Sequence, residues 1–186
     1  MEENSSTSLS AVSKSRLEFL FDGIFAIAMT ILVLELRVPE LNDRRSVGEL
    51  ARALGHHAPT FGSYLLSFGM LGIFWYRHNR QYRHFQAITH GMLVLHLVQL
   101  AAAAFFPFCA ALLGRYPTNS LSIVVYAGCV LVYLWSMLVN WVIAKRCGVL
   151  GAEVTEPDYR RTRSRLLRGC LGLSTLFSLF LIKSFG

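Results

Sequence analysis

The chain has 186 residues, 54% hydrophobic and 16% charged, with a mean hydropathy of +0.46 and a formal net charge of +7. Ordinary soluble domains carry roughly 45–50% apolar and about 25% charged residues, so both figures lean toward a membrane protein and exclude a disordered chain. Cys109, Cys129, Cys147 and Cys170 have no C-x-x-C or metal spacing, which argues against a disulfide-stapled secreted domain. Three of them sit in apolar runs, where a buried, inert thiol is expected.

Residues 1–15 are polar and Ser-rich and read as a disordered tail, with no basic and apolar pattern of a cleaved signal peptide. Residues 16–186 read as a transmembrane domain. The first apolar run, Phe19 to Val38, ends at Pro39 and holds Asp22 and Glu35 near its two ends. About 20 such residues match the ~30 Å hydrocarbon core of a bilayer. Four more runs follow: Phe61 to Tyr76, Ile88 to Gly114, Leu121 to Ala144 and Leu166 to Gly186. Together they predict five spans, at about 18–38, 60–77, 88–113, 120–145 and 166–186, and an all-α, polytopic helical membrane protein. A soluble bundle is disfavoured because Leu121 to Ala144 carries no charge on any face.

Five spans place the N-terminus, the second loop and the fourth loop on one side. That side carries 12 of the 18 Lys and Arg residues, and the other side 6. The Lys/Arg bias of loops then puts the N-terminus in the cytoplasm of a cell-membrane protein. Anionic inner-leaflet lipid accounts for the basic excess, and the basic run 160–168 needs no nucleic-acid partner.

An ionisable residue inside a span is a functional or network residue by default. Asp22 lies one turn into the first helix with Glu18, a like charge, at i−4. It needs a donor from another helix or from water. Trp75, Tyr76, Arg77, His78 and Asn79 end the second span on the same side. The contact would be a structural staple, or one that positions a gate or senses pH through His78. Glu35 and Arg37 suit a water-facing mouth or a cation-attracting ring. His90 and His96 lie six apart and do not share a helix face, so a metal pair is disfavoured. His56 and His57 are adjacent in the outer loop and read as solvated. At about 100° per residue, Gly23, Ile27, Ile31 and Leu34 fall in one stripe, with Thr30 at its edge and Asp22 turned away. By composition this stripe is a lipid or packing face, and Gly23, Ala26 and Ala28 favour close helix approach.

The run Arg16-Leu-Glu-Phe-Leu-Phe-Asp22-Gly-Ile-Phe-Ala-Ile-Ala-Met-Thr30 through Val38-Pro39 resembles the first helix of the bacterial transmembrane protein 175 family, relatives of the lysosomal potassium channel. Its signature is R-x-x-x-F-S-D, a G-x-F-A-I-A-x-T run and a V-P exit. Arg16 and Asp22 keep the ends of the signature, while Leu20 and Phe21 replace its Phe and Ser. Ser67-Phe68 through Trp75 and His78 to Phe85 is similar to the second helix, with its W-x-x-H pattern. Phe105-Phe106-Pro107-Phe108, Leu112-Leu113 and Tyr116 are similar to the end of the third. His96 stands where the family has an asparagine.

The resemblance implies a six-helix, all-α subunit, assembled as a homotetramer whose first helices line a central pore without a T-V-G-Y-G carbonyl filter. Five spans instead of six imply a truncation or a natural variant. Carried onto this chain, the pore and selectivity positions are Ile27, Ile31 and Leu34, with Thr30 as the polar layer. The signature network is Arg16, Asp22, Trp75, His78 and Asn79. The implied function is a potassium channel, modestly selective over sodium, with a hydrophobic constriction, needing no cofactor and no metal beyond the permeating potassium. A small secondary transporter or proton-coupled carrier is the alternative, although such folds usually show repeats and broken helices. An enzyme is disfavoured, because Asp22, His78 and His84 come with no nucleophile or metal set.

Overall fold

The computed structural model describes residues 5–185, with side chains described from Lys14 to Ser184. Six α-helices make up the fold: α1 (Ser5–Ile31), which tightens into a 3-10 turn at Leu32–Glu35, α2 (Val47–His56), α3 (Ala58–Tyr82), α4 (His90–Arg115), α5 (Ser120–Arg146) and α6 (Glu156–Phe185). Among the described residues the only β pairing is an isolated bridge between Phe85 and Leu150. The chain is therefore all-α, as its apolar runs suggest.

Helix α1 begins at Ser5 and takes in residues 5–15; residues 1–4 lie outside the described residues. By length and composition alone, four helices qualify to cross a membrane: α1 with its 3-10 turn over Lys14–Glu35, then α4, α5 and α6. Helix α3 has the length, at 25 residues, but Arg77, His78, Asn79, Arg80 and Gln81 fill its last third and lower its hydropathy.

The helix ends follow from local chemistry. Ser46, Thr89 and Asn119 stand just before α2, α4 and α5, and their side chains accept from the backbone N–H groups of Glu49, Met92 and Leu121. Such caps satisfy amides that have no partner within the helix. Pro59 opens α3, where the missing N–H costs nothing. Helix α5 ends at Gly148, whose φ of 66° lets Val149 N–H reach Ala144 O at 3.0 Å and Gly148 N–H reach Lys145 O at 3.2 Å. This glycine-dependent reversal stops the helix and delivers the next strand of chain to the α3–α4 loop. There Gln86 N–H donates to Val149 O and Gly151 N–H donates to His84 O, each at 2.8 Å.

Helix α4 is the hub, packing against α1, α3 and α5, while α6 rests on α5. Tyr133 of α5 stacks on Phe74 of α3 with ring centroids 4.1 Å apart, and its hydroxyl donates to Phe74 O at 3.2 Å. Phe106 of α4 meets Phe74 edge-on at 5.8 Å. At the other end of the bundle α3 and α4 approach closely. Ser63 Oγ donates to Ala110 O at 2.6 Å, and a Cβ on Gly114 would stand 3.1 Å from Thr60 Cα. Small residues at such a crossing let backbones meet without a hydrophobic driving force between helices. Gly114→Val should therefore overpack the α3–α4 crossing and destabilise by about 1–3 kcal/mol, read as a lowered thermal midpoint of the purified protein in detergent. Gly128→Ala, where nothing lies within 4 Å of the new Cβ, should leave that midpoint unlowered.

Candidate pore helix

Helix α1 has two faces with opposite fates. Leu17, Phe21, Phe25, Ala28 and Leu32 recur at helical spacing and are buried against α3, α4 and α5. On the other face Ile27, Ile31 and Leu34 are 59%, 41% and 73% exposed, and Thr30 and Gly23 are exposed beside them. The predicted stripe is thus the surface of α1 that its own subunit leaves uncovered. The 3-10 turn at Leu32–Glu35 sharpens it. In a 3-10 helix residues three apart eclipse, so Leu34 stacks along the axis above Ile31 instead of drifting round the helix. Thr30 Oγ1 lies 2.9 Å from Ile27 O and 3.0 Å from Ala26 O. Its single hydrogen is held by its own helix, which leaves the oxygen's acceptor side facing outward. Glu35 and Arg37 are both exposed at the end of this helix.

The residues of the signature network separate into two sites. Trp75 Nε1–H donates to Asp22 Oδ1 at 2.8 Å, joining α1 to α3 on an exposed surface. Beside this bond opens an apolar cleft of ≈ 490 Å³ between Ala26 and Met29 of α1 and Gly72 and Tyr76 of α3. Arg16 is exposed and, among the described residues, makes no ion pair; Asn79 is half-buried with no side-chain hydrogen bond. His78 does not reach Asp22. It is buried and lies flat on Phe21, with ring centroids 3.6 Å apart and planes 6° from parallel.

Behind Phe21 stands a buried polar cluster. His96 meets Phe21 edge-on at 5.6 Å and His78 edge-on at 5.5 Å. His96 Nδ1 lies 2.6 Å from Met92 O and 3.3 Å from Asn140 Nδ2, and a neutral imidazole serves only one of these at a time through that nitrogen. His78 Nε2, Gln99 Oε1 and Asn140 Oδ1 are buried with no hydrogen-bond partner. Sequence reasoning overlooked Asn140. The signal was present, since Asn140 is the one amide side chain in the otherwise apolar run of α5. His90 is exposed at the start of α4, while His56 is the last residue of the short helix α2 and His57 its C-cap. Among the described residues no group of three His, Cys, Asp or Glu side chains is placed to hold a metal.

Residues 16–107 match the family described as the endosomal/lysosomal potassium channel TMEM175. A potassium channel of Streptomyces collinus is 30% identical over 84% of this chain and 77% of its own length. This chain belongs to the TMEM175 family. A mouse relative, named an endosomal/lysosomal proton channel, is 33% identical over 52% of this chain but only 20% of its own length. The crystal structure of a lysosomal potassium-selective channel TMEM175 homolog from Chamaesiphon minutus superposes with a TM-score of 0.68, at 26% identity, covering 94% of this chain and all of that one. The family is one of channels, not of enzymes, and its members sit in membranes.

The stretch that matches the TMEM175 family contains the uncovered stripe of α1, the Asp22–Trp75 bond, His78 and His96. It ends at Pro107, before Asn140 and before α6. The Asp22–Trp75 bond lends itself to a double-mutant cycle. A hydrogen bond to a charged group contributes about 1.5–3 kcal/mol, and Asp22→Ala with Trp75→Phe should show coupling up to that order in thermal unfolding. Strict additivity of the two single variants would remove the bond from the account of how α1 is held.

Proposed function

We propose that the chain is the subunit of a homotetrameric channel in the cell membrane, N-terminus in the cytoplasm, that passes potassium through a central pore lined by four α1 helices. The carrying observation is the two-faced α1: one face is anchored in its own subunit, and the stripe Ile27, Thr30, Ile31 and Leu34 is left free for a partner. The bacterial relatives named potassium channels favour the same ion. Annular lipid then covers the outward aliphatic side chains of α6.

The physics of such a pore is dehydration without substitution. A ring of Ile or Leu side chains offers an ion no replacement ligands, so the constriction works by apolar exclusion of water. The larger, more weakly hydrated potassium ion loses part of its shell more cheaply than sodium does. Preference for potassium is therefore real but modest. Thr30 oxygens, four around the axis, supply the polar layer between the Ile27 and Ile31 rings. The end of α1 places Glu35 at the mouth, where its charge would concentrate cations.

A second reading has an observation of its own: the vertebrate relatives are named proton channels. The two ions separate cleanly in one preparation. With potassium on one side of a bilayer and sodium on the other, the reversal potential should move toward the potassium equilibrium value. With both replaced by an impermeant cation under a pH gradient, current should fall to the background. Ile27→Asn should raise conductance and draw the potassium–sodium reversal potential toward zero. An unchanged reversal potential in that variant would take Ile27 out of the selectivity layer. Saturating, non-ohmic flux in wild type would favour a carrier.

A further inference from the structure

A cavity of ≈ 430 Å³ opens at the end of the bundle that holds the chain's basic excess. Its walls are the last turns of α3 and the first turns of α6, and its floor is α5. Arg77 and Arg80 project from α3 at i, i+3, and Arg161 and Arg165 from α6 at i, i+4, so each pair shares one helix face. Two acids, Glu153 and Asp158, also line it. Both are already engaged: Glu153 with His84 at 3.5 Å, Asp158 with the Thr155 hydroxyl at 2.5 Å. The ion pairs among the described residues are His84–Glu153, Lys145–Glu156 and Arg160–Glu156. None of the four cavity arginines takes part in one. Four guanidiniums thus face a single space and outnumber its two carboxylates, and guanidiniums are built for two-pronged recognition of phosphate.

The height of the cavity points to lipid. Helix α6 changes there from a basic segment to an apolar one: Leu166 lines the cavity together with Met137, and Leu171 lies exposed one turn further along. Tyr76 stands exposed at the same level, where amphipathic rings favour the membrane–water boundary. Basic pockets between helices on this side of a membrane suit anionic headgroups. We propose that this cavity binds the headgroup of an anionic phospholipid carrying two phosphates, one between Arg77 and Arg80 and the other between Arg161 and Arg165, with its acyl chains running over Leu166 along α6. The site is independent of the conduction proposed above and needs only a chain embedded in a membrane.

The test is native mass spectrometry of the full-length protein in detergent, with equimolar cardiolipin and phosphatidylcholine. The expected result is preferential retention of one cardiolipin per chain. At roughly 1 kcal/mol per basic residue near the membrane surface, each arginine is worth about fivefold in preference. Arg77→Gln/Arg80→Gln and Arg161→Gln/Arg165→Gln should each lower the preference by about tenfold or more on that scale. Arg44→Gln/Arg45→Gln, at the opposite end, should leave it unchanged. Glu153→Gln removes a negative charge from the wall and should raise the preference, a direction that loss of folding does not produce. Arg165→Lys keeps the charge and loses the fork, so a drop with this mild variant supports the site even if a double variant fails to fold. Added pyrophosphate tests the source of the phosphates: if it binds one per chain and displaces cardiolipin, the site belongs to a soluble phosphate and the lipid assignment is overturned. Equal retention of both lipids by wild type, or undiminished preference in both arginine variants, overturns it as well.

Discussion

Phe21 lies flat on His78, 3.6 Å between ring centroids, and the rotation of α1 hangs on that contact. A ring stacked so closely inside a bundle tolerates little rotation of the helix that carries it. Phe25, one turn on, meets Tyr133 edge-on at 6.2 Å, so α1 is gripped by α3 and α5 at two successive turns. Nine residues at about 100° each set Thr30 half a turn round from Phe21. The outward direction of the threonine is therefore a consequence of the inward direction of the phenylalanine. Asp22, the residue next to Phe21, is turned by the same geometry onto the flank, where Trp75 meets it. A one-residue slip would swing the carboxylate toward the aromatic pocket, where an unpaired charge is strongly unfavourable. The stack and the hydrogen bond together fix one register for the helix.

Two of the three places where this chain departs from the signature it resembles, Phe21 and His96, meet in space. Phe21 stands where the signature has a serine, and His96 stands where the third helix has an asparagine. Their rings contact each other edge-on at 5.6 Å and 86°. A serine and an asparagine would form a small polar contact; a phenylalanine and a histidine form an aromatic one. His96 in turn meets Asn140 on α5, with Nδ1 and Nδ2 3.3 Å apart. Among the described residues three buried polar atoms beside them, on His78, Gln99 and Asn140, have no partner. A buried unsatisfied group typically costs about 1–3 kcal/mol, and the aromatic packing around Phe21 offsets it.

The legible part of the fold was what depends on neighbours in sequence. Apolar runs located the long helices, and Ser46, Thr89, Asn119, Pro59 and Gly148 mark their ends by local chemistry. The two faces of α1 follow from period alone, though period could not say which face was inward. Family resemblance assigned the outward stripe. What escaped were contacts between helices distant in sequence. Trp75 and His78 are three residues apart, near neighbours on one helix, yet one bonds Asp22 on the surface and the other packs beneath Phe21. His96 looked unexplained beside His90 because its partners come from α3 and α5 and not from its own helix. The 3-10 turn that aligns Leu34 with Ile31 has no sequence mark beyond the proline that follows.

Uncovered apolar surface has a different character on α1 and on α6. Leu171, Leu176, Leu179 and Ile182 on α6 are all large aliphatic side chains, and α6 touches its subunit through α5. That surface asks only for hydrocarbon, and a bilayer supplies it. The uncovered stripe of α1 mixes aliphatic residues with Gly23, Ala26 and Thr30, which gain nothing from lipid tails. Small residues gain from close approach of another helix, and a hydroxyl gains from water or an ion. Burying Phe21, Phe25 and Leu32 anchors one face of α1 and leaves Ile27, Ile31 and Leu34 outside together with Gly23, Ala26 and Thr30. In the channel proposed above, the same division of residues that anchors α1 in its subunit supplies the face that a neighbouring α1 would meet.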